Sequence, residues 1–218
     1  MLRLLSPSSL PYSYDLLDAE VGTFKGGEVV ALRSTSLATG DLAAHDAFDG
    51  YLQPPPGRPV VTKVLVDTDR ILMLSDDGVS GYGNIFGTVV GATAGQVVSG
   101  GLAIGLSSEL ASGKMTVWHQ AGLFGVSLNA VDTDAAVGIR PDRTSGGLAA
   151  GTPLYAKVGT GVLTANPVGA VGASSGGAIV VARFVSFDTD GSFSNNPAYT
   201  VGATDRKFTY AVIRWLGA

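Results

Sequence analysis

The chain contains no cysteine, which excludes disulfide bonds, thiol chemistry and cysteine-ligated metal sites. It also has little charge. Lys, Arg, Asp and Glu make up 15% of its 218 residues, against about 25% in a typical globular protein. The net charge is −4 and no basic cluster occurs, so we expect no nucleic-acid partner. Because so little charge protects a monomer poorly against association, the composition favours a protein that buries surface against other chains.

Glutamate is also scarce, since fifteen of the eighteen acidic residues are aspartate. Aspartate accepts hydrogen bonds from its own backbone and tolerates left-handed geometry, so it suits turns, whereas glutamate suits helix interiors. Thirty-one glycines and ten prolines point the same way. Asp-Gly pairs at 49–50, 77–78 and 190–191 lie between apolar runs and are typical of tight turns. The composition therefore predicts strands and turns.

Targeting signals are missing as well. The N-terminal apolar run is too short for a signal peptide, and no Asn-x-Ser/Thr sequon occurs, so we expect an intracellular product. Residues 78–108 carry no charge and place glycines four apart, a spacing found in packed transmembrane helices. Their glycine content makes a weak spanning helix, however, and residues 158–182 form a similar uncharged run broken by Pro167. We expect no membrane span.

Several runs alternate or are rich in β-branched residues and predict strands: 28–34, 60–66, 70–74, 114–119, 123–128, 153–157, 161–164, 178–187 and 207–216. The runs 60–66 and 70–74, joined by Asp67-Thr-Asp69, predict a hairpin. Only residues 102–112 suit a short helix. The fold class we predict is all-β, an antiparallel β-sandwich or barrel with a jelly roll among the candidates.

The ends and the interruptions of this pattern suggest its organisation. Residues 1–24 are rich in Ser and Pro and have no regular period, which predicts an extended N-terminal arm with long loops elsewhere. Within that arm, Pro11, Tyr12 and Tyr14 are our candidate partner-binding residues, since aromatic residues in such segments often pack onto a neighbour. Residues 25–218 form the β domain, with a candidate division into two subdomains near the proline-rich loop 53–59.

Catalytic motifs are weak. Gly172-Ala-Ser-Ser-Gly176 fits the G-x-S-x-G pattern, but a nucleophile elbow needs a strand before it, a helix after it and a downstream histidine. Here a strand follows, and the two histidines, His45 and His119, both lie upstream. No phosphate-binding loop occurs. We therefore expect no catalytic residues, no enzyme activity and no cofactor.

Metal and sugar sites have only general signals. His45, Asp46 and Asp49, and the pairs Asp67/Asp69, Asp132/Asp134 and Asp188/Asp190, could supply ligands, but turn chemistry explains them better and we expect no metal. The calcium-loop-like segment 188–195 has its glycine at position 4 rather than 6. Trp118 and Trp215 are candidates for a sugar-stacking face, although strand alternation buries such residues equally well.

Three segments in the second half carry a resemblance. Leu148-Ala-Ala-Gly-Thr-Pro-Leu-Tyr-Ala-Lys, then Gly161-Val-Leu-Thr, then a glycine-rich turn into Ala178-Ile-Val-Val-Ala-Arg-Phe-Val resembles the head decoration (capsid cement) proteins of tailed phages. The segment that begins Val21-Gly-Thr-Phe-Lys-Gly-Gly-Glu is similar to the opening hairpin of that family. The likeness covers about half of the chain, and residues 40–130 have no counterpart in it.

The resemblance implies a β-rich homotrimer that binds the major capsid protein on the outside of the virion and holds capsomers together. It also implies synthesis in the host cytoplasm and no membrane or nucleic-acid partner. Two alternatives stay open on the residues. One is another virion component, such as a tail tube, baseplate or fibre. The other is a carbohydrate-binding β-sandwich module.

Overall fold

The computed structural model describes residues 2–5, 11–16, 26–34, 59–75, 114–128, 130–188, 199–201 and 206–217. All regular structure in these ranges is β, as the sequence predicts. The strands are β1 (Leu2–Leu4), β2 (Pro11–Leu16), β3 (Val29–Ser34), β4 (Pro59–Thr62), β5 (Leu72–Ser75), β6 (Lys114–Trp118), β7 (Gly122–Ser127), β8 (Pro153–Ala156), β9 (Leu163–Thr164), β10 (Val180–Asp188), β11 (Tyr199–Val201), β12 (Arg206–Phe208) and β13 (Tyr210–Trp215).

Five of these strands close a barrel in the order β2-β4-β3-β5-β6. Strands that alternate in direction cannot close a ring of odd number, so one neighbouring pair has to be parallel. That pair is β2 and β4, where Asp15 lies opposite Val60, while the other four pairs are antiparallel. Among the described side chains of the barrel, Val29, Val30 and Ala31 on β3 and Leu72, Met73 and Leu74 on β5 are fully or almost fully buried.

The other large element is a six-stranded antiparallel sheet in the order β1-β7-β13-β10-β8-β9, and β11 and β12 form a separate pair. In the six-stranded sheet, β13 lies near the centre and pairs with β7 on one side and β10 on the other. On one face of β13, Ala211, Ile213 and Trp215 are fully buried. On the opposite face, Tyr210 and Val212 are also buried and pack against Leu123, whereas Arg214 is exposed.

One hydrophobic core joins the barrel to the sheet. Its main barrel members are Val29, Ala31, Leu65, Leu72 and Leu74, and its main sheet members are Phe124, Val126, Leu154, Ala182, Ile213 and Trp215. The chain passes from barrel to sheet in the short link between β6 and β7, at residues 119–121. The candidate division near 53–59 falls between β3 and β4, which are both strands of the barrel. Residues 53–58 lie outside the described residues, and the division stays a prediction.

The predicted hairpin of residues 60–66 and 70–74 is wrong. β4 and β5 do not pair with each other, because β3 lies between them and pairs with both. The loop that joins them crosses the end of β3, and the Arg33 guanidinium on β3 binds the loop carboxylate of Asp69 from Nε (2.9 Å) and Nη2 (2.7 Å). Leu65 in the same loop is buried in the core.

Other predictions fare differently. β8, β9 and β10 lie at the predicted strands 153–157, 161–164 and 178–187, so these three predictions are confirmed. β8 and β9 also pair with each other across the turn at 158–160. Residues 1–24, predicted to form an extended arm, contribute β1 to the six-stranded sheet and β2 to the barrel. The helix candidate at 102–112 and the uncharged stretch 78–108 lie outside the described residues.

Candidate interaction surface

The predicted partner-binding residues lie on β2. Pro11 is opposite Trp118, Tyr12 opposite Val117 and Tyr14 opposite Met115, all on β6. Their backbone is thus part of the barrel wall, and the other edge of β2 pairs with β4 through Asp15. The role of these three residues in partner binding stays a prediction.

The glycine-serine motif at 172–176 is a turn that fastens the sheet to the barrel. Asp67 accepts a hydrogen bond from the Ser174 backbone N–H (Oδ1, 3.3 Å), and its own carbonyl accepts one from the Gly172 N–H (3.0 Å). The Arg70 guanidinium donates to the Ser175 hydroxyl (3.0 Å). Turns precede the motif and strand β10 follows it, so the strand-turn-helix geometry of a nucleophile elbow is missing here.

The aspartate pairs serve the backbone. Asp69 is buried and accepts from the Val66 N–H (2.8 Å) as well as from Arg33. Asp134 accepts from the backbone N–H groups of Ala136 (2.8 Å) and Val137 (3.1 Å), and these bonds hold the pKa of its carboxyl below the usual range. This is the turn chemistry that the sequence predicts for Asp134.

Hydrogen bonds from the Ser174 side chain and backbone likewise lower the pKa of Asp67, and a hydrogen bond from Arg140 lowers that of Asp142. In the part of the chain that the structure describes, no group of three His, Cys, Asp or Glu residues is placed to hold a metal ion. His45, Asp46, Asp49 and Asp190 lie outside that part.

The two tryptophans belong to the interior. Trp215 is fully buried in the core, so it cannot present a face to a sugar. Trp118 is half-buried and packs edge-on against Phe124, with ring centroids 5.6 Å apart. The sugar-stacking hypothesis is therefore wrong for Trp215. The half-buried ring of Trp118 does not present a flat exposed face on which a sugar could stack.

A row of exposed valines marks the place where the barrel and the sheet meet. We call Val64, Val66, Val158 and Val168 the junction strip. Leu65, between the first two, accepts a hydrogen bond from the Gly159 N–H (2.9 Å), and the Val158 N–H donates to the Gly169 carbonyl (3.0 Å). These bonds bring three loops side by side. Val168 is 77% exposed and Val64 50% exposed.

The junction strip continues into an open depression of about 380 Å³. Its lining comes from the turns before and after Ala170 and is largely apolar: Pro167, Val168, Gly169, Ala173, Ser174 and Ala178. Charged groups stand next to the strip, with Lys157 preceding Val158 and Asp67 following Val66. Neighbouring apolar side chains with a polar rim are typical of protein–protein contact surfaces.

Sequence reasoning missed this surface. Val64 and Val66 fell inside a predicted strand, where alternation would bury one face, but the strand ends at Thr62 and a loop follows. Val158 and Val168 are each followed directly by glycine in a turn-rich stretch, but so is Val171, which is buried in the core, so this pattern does not single out the exposed valines.

Among the described residues there is no helix long and apolar enough to cross a membrane. Comparison of the chain with protein families, with curated proteins and with solved structures returned no match. The likeness to phage decoration proteins thus rests on the sequence segments alone, and it stays a prediction.

Proposed function

We propose that this chain is a structural, non-enzymatic virion protein of a tailed phage, a capsid decoration protein that binds the outer capsid surface and stabilises contacts between capsomers. The junction strip is the observation that carries the proposal. Its exposed valines offer a contact surface that the described part of the chain leaves uncovered. On this proposal, the partner is the major capsid protein and the working form is a homotrimer.

The position of the resembling segments supports the proposal. Gly151–Tyr155 leads into and lies on β8, Gly161–Thr164 ends on β9, and Val181–Phe184 lies on β10. These strands are consecutive neighbours at one side of the six-stranded sheet, in the order β10-β8-β9. Segments that match a family pattern in sequence order and also adjoin in space behave as one structural unit, and this unit carries Val158 of the junction strip.

The physical mechanism would be multivalent attachment. One junction strip offers a modest apolar contact, with each fully buried valine worth roughly 1.5 kcal/mol or more. A trimer presents three such strips at once, and the second and third contacts form at high effective concentration. The low charge of the chain suits extensive burial, because few ionic groups have to be desolvated.

The chemistry of the described residues favours a structural role over catalysis. The hydroxyl of Ser175 and the carboxylates of Asp67 and Asp69, which would be candidates for catalysis, all hold the β4–β5 loop or its contact with the 172–176 turn. Groups committed to backbone and loop contacts are poorly placed to bind and turn over a substrate.

Cosedimentation with undecorated phage heads tests the proposal. We expect the wild-type protein to bind to saturation at a fixed number of copies per head. The substitution Val168→Asp places a charge in the junction strip and should weaken binding at least tenfold. The matched control is Ala150→Asp, which makes the same change of charge at another exposed turn position. Absence of wild-type binding, or equal loss in both variants, would contradict the proposal.

A further inference from the structure

Two arginines lie opposite each other on the face of the six-stranded sheet that points away from the main core, next to the smaller buried cluster of Tyr210, Val212 and Leu123. Arg183 on β10 lies directly opposite Arg214 on β13 in the antiparallel register. Both are exposed, while the residues before and after them (Ala182, Phe184, Ile213 and Trp215) are buried on the other face. Side chains opposite each other on neighbouring strands have Cβ atoms about 5 Å apart, so the two guanidinium groups share one patch of surface.

This arrangement has a cost that the described fold does not offset. Like charges directly opposite each other destabilise a strand pair. Arg183 donates one hydrogen bond, from Nη1 to the Gly151 carbonyl (3.0 Å). The Arg214 guanidinium makes neither a hydrogen bond nor an ion pair within the described part of the chain. Four other described cations have carboxylate partners, in Arg33–Asp69, Arg140–Asp142, Lys63–Glu28 and Lys157–Asp132, whereas Arg70 and Arg143 donate to carbonyl or hydroxyl oxygens.

Apolar side chains flank the pair. The register of β10 and β13 shifts by one residue between Phe184 and Ser186, which leaves Val185 unpaired and exposed. Leu216, two residues after Arg214, is also exposed. Arginine next to exposed apolar side chains is the composition found at the centre of protein interfaces, where arginine is frequent among the residues that dominate binding energy.

We propose that this arginine face, made of Arg183, Arg214, Val185 and Leu216, binds a protein partner that presents carboxylates to the two guanidinium groups. Guanidinium and carboxylate form paired, charge-assisted hydrogen bonds, and a carboxylate between two arginines removes their repulsion. The partner is the outer surface of the capsid if the function proposed above holds, and only this naming of the partner rests on that function.

Charge complementarity favours another protein over a second copy of this chain. The described carboxylates of the chain are largely engaged already, four in ion pairs with their own cations and Asp67 and Asp134 in hydrogen bonds from backbone N–H groups. To serve the arginine face of its neighbour with these described carboxylates, a copy would have to give up such bonds. An outside partner with unpaired carboxylates incurs no such loss.

A titration followed by amide NMR tests the face itself, independently of capsids. The probes are a glutamate-rich peptide and, separately, an oligothymidylate of equal charge, both at low salt. We expect the peptide to shift the amide resonances of β10 and β13 around Arg183 and Arg214.

The double variant Arg183→Glu/Arg214→Glu should weaken peptide binding at least tenfold. The control variant Arg143→Glu, a charge reversal in a loop elsewhere on the protein, should leave peptide binding unchanged. Shifts spread evenly over all cations, or stronger binding of the oligothymidylate at the same residues, would overturn the proposal.

Binding to undecorated heads separates this proposal from the function. Wild-type binding that the double variant loses supports both. Wild-type binding that the double variant keeps overturns the arginine face and leaves the function standing. If the wild type does not bind heads, the function fails and the NMR titration alone decides the face.

Two measurements on the purified variants complete the test. The single variant Arg214→Glu converts the repulsion into an attraction and should raise the midpoint of thermal unfolding by about 2 °C. A lower midpoint of thermal unfolding would show that Arg183 and Arg214 do not repel each other without compensation, contrary to the proposal. The double variant should keep the solution mass of the wild type, since loss of self-association would assign the face to a second copy.

Discussion

The junction between barrel and sheet and the arginine face of the sheet use the same residue types in opposite ways. At the junction, the Arg33 guanidinium forms hydrogen bonds with the buried carboxylate of Asp69, and Arg70 in the β4–β5 loop donates a hydrogen bond to Ser175 in the 172–176 turn. On the arginine face, Arg183 and Arg214 lie opposite each other, and no described carboxylate is bound to either guanidinium. The contrast separates charges that hold the fold from charges that the fold leaves available to a partner.

The largest effect is expected where backbone meets backbone at the junction. Gly161 has a φ of +68° and its carbonyl accepts the Val29 N–H at 2.6 Å, so a Cβ at this position would clash with the Val29 carbonyl oxygen. We expect Gly161→Ala to cost about 3 kcal/mol of unfolding free energy in denaturant titration.

Gly159 provides a matched control because it has a φ of +83° and no heavy atom within 4 Å of the place that a Cβ would occupy. The substitution Gly159→Ala should cost about 1 kcal/mol, which is the cost of left-handed geometry alone. Equal losses in the two variants would show that the junction tolerates a shift of β3, contrary to our account.

The next largest effect concerns the junction charges. Asp69→Asn keeps the shape of the side chain but removes the charge that Arg33 grips and that sits almost buried in the loop. We expect a loss of about 2 kcal/mol in unfolding free energy, since charge-assisted hydrogen bonds with a buried partner are broken. Addition of Arg33→Gln to this variant should cost little more, and fully additive losses would argue against a coupled pair.

The pH dependence should have two stages. Burial lowers the pKa of His119 from 6.5, so the unfolded chain takes up a proton first and stability falls as the pH drops below about 6.5. Hydrogen bonds lower the pKa values of Asp67, Asp134 and Asp142, so their contribution is present above about pH 4 and is lost as the pH falls through their folded-state values.

Thermal unfolding followed between pH 8 and pH 3 by circular dichroism would resolve the two stages. The variant His119→Gln should lack the first stage and retain the second. A wild-type protein that gains stability between pH 7 and pH 5 would be inconsistent with a partly buried histidine whose charged form is disfavoured.

The smallest effect is expected on the arginine face, and it has the opposite sign. Arg214→Gln removes one of two like charges and should leave the unfolding free energy unchanged or raise it by a few tenths of a kcal/mol. Arg33→Gln at the junction is the comparison, and it should destabilise. If both substitutions destabilised the protein to the same extent, the distinction between the two regions would collapse.

Local pattern predicts the elements of this fold better than their partners. The strand at 178–187 and the turn between β8 and β9 are predictable because alternation, glycine and β-branched residues act within a few positions. The insertion of β3 between β4 and β5 is not predictable in this way, since it depends on pairing between segments that are far apart in the chain.

Local pattern predicts neither candidate surface. Valine followed by glycine in a turn does not single out Val158 and Val168, because Val171 has the same neighbour and is buried. The opposition of Arg183 and Arg214 is not predictable either, because strand register depends on the packing of the whole sheet and a shift of one residue would face every side chain the other way.

The central claim is that this chain works by assembling with other chains, and its solution mass tests that most directly. Light scattering after size exclusion, over a wide concentration range, should give three times the mass of the single chain at every concentration. A ring or filament would favour the tail-component alternative over a decoration protein. A monomer at all concentrations would contradict the account, because its low surface charge would then have no assembly to explain it.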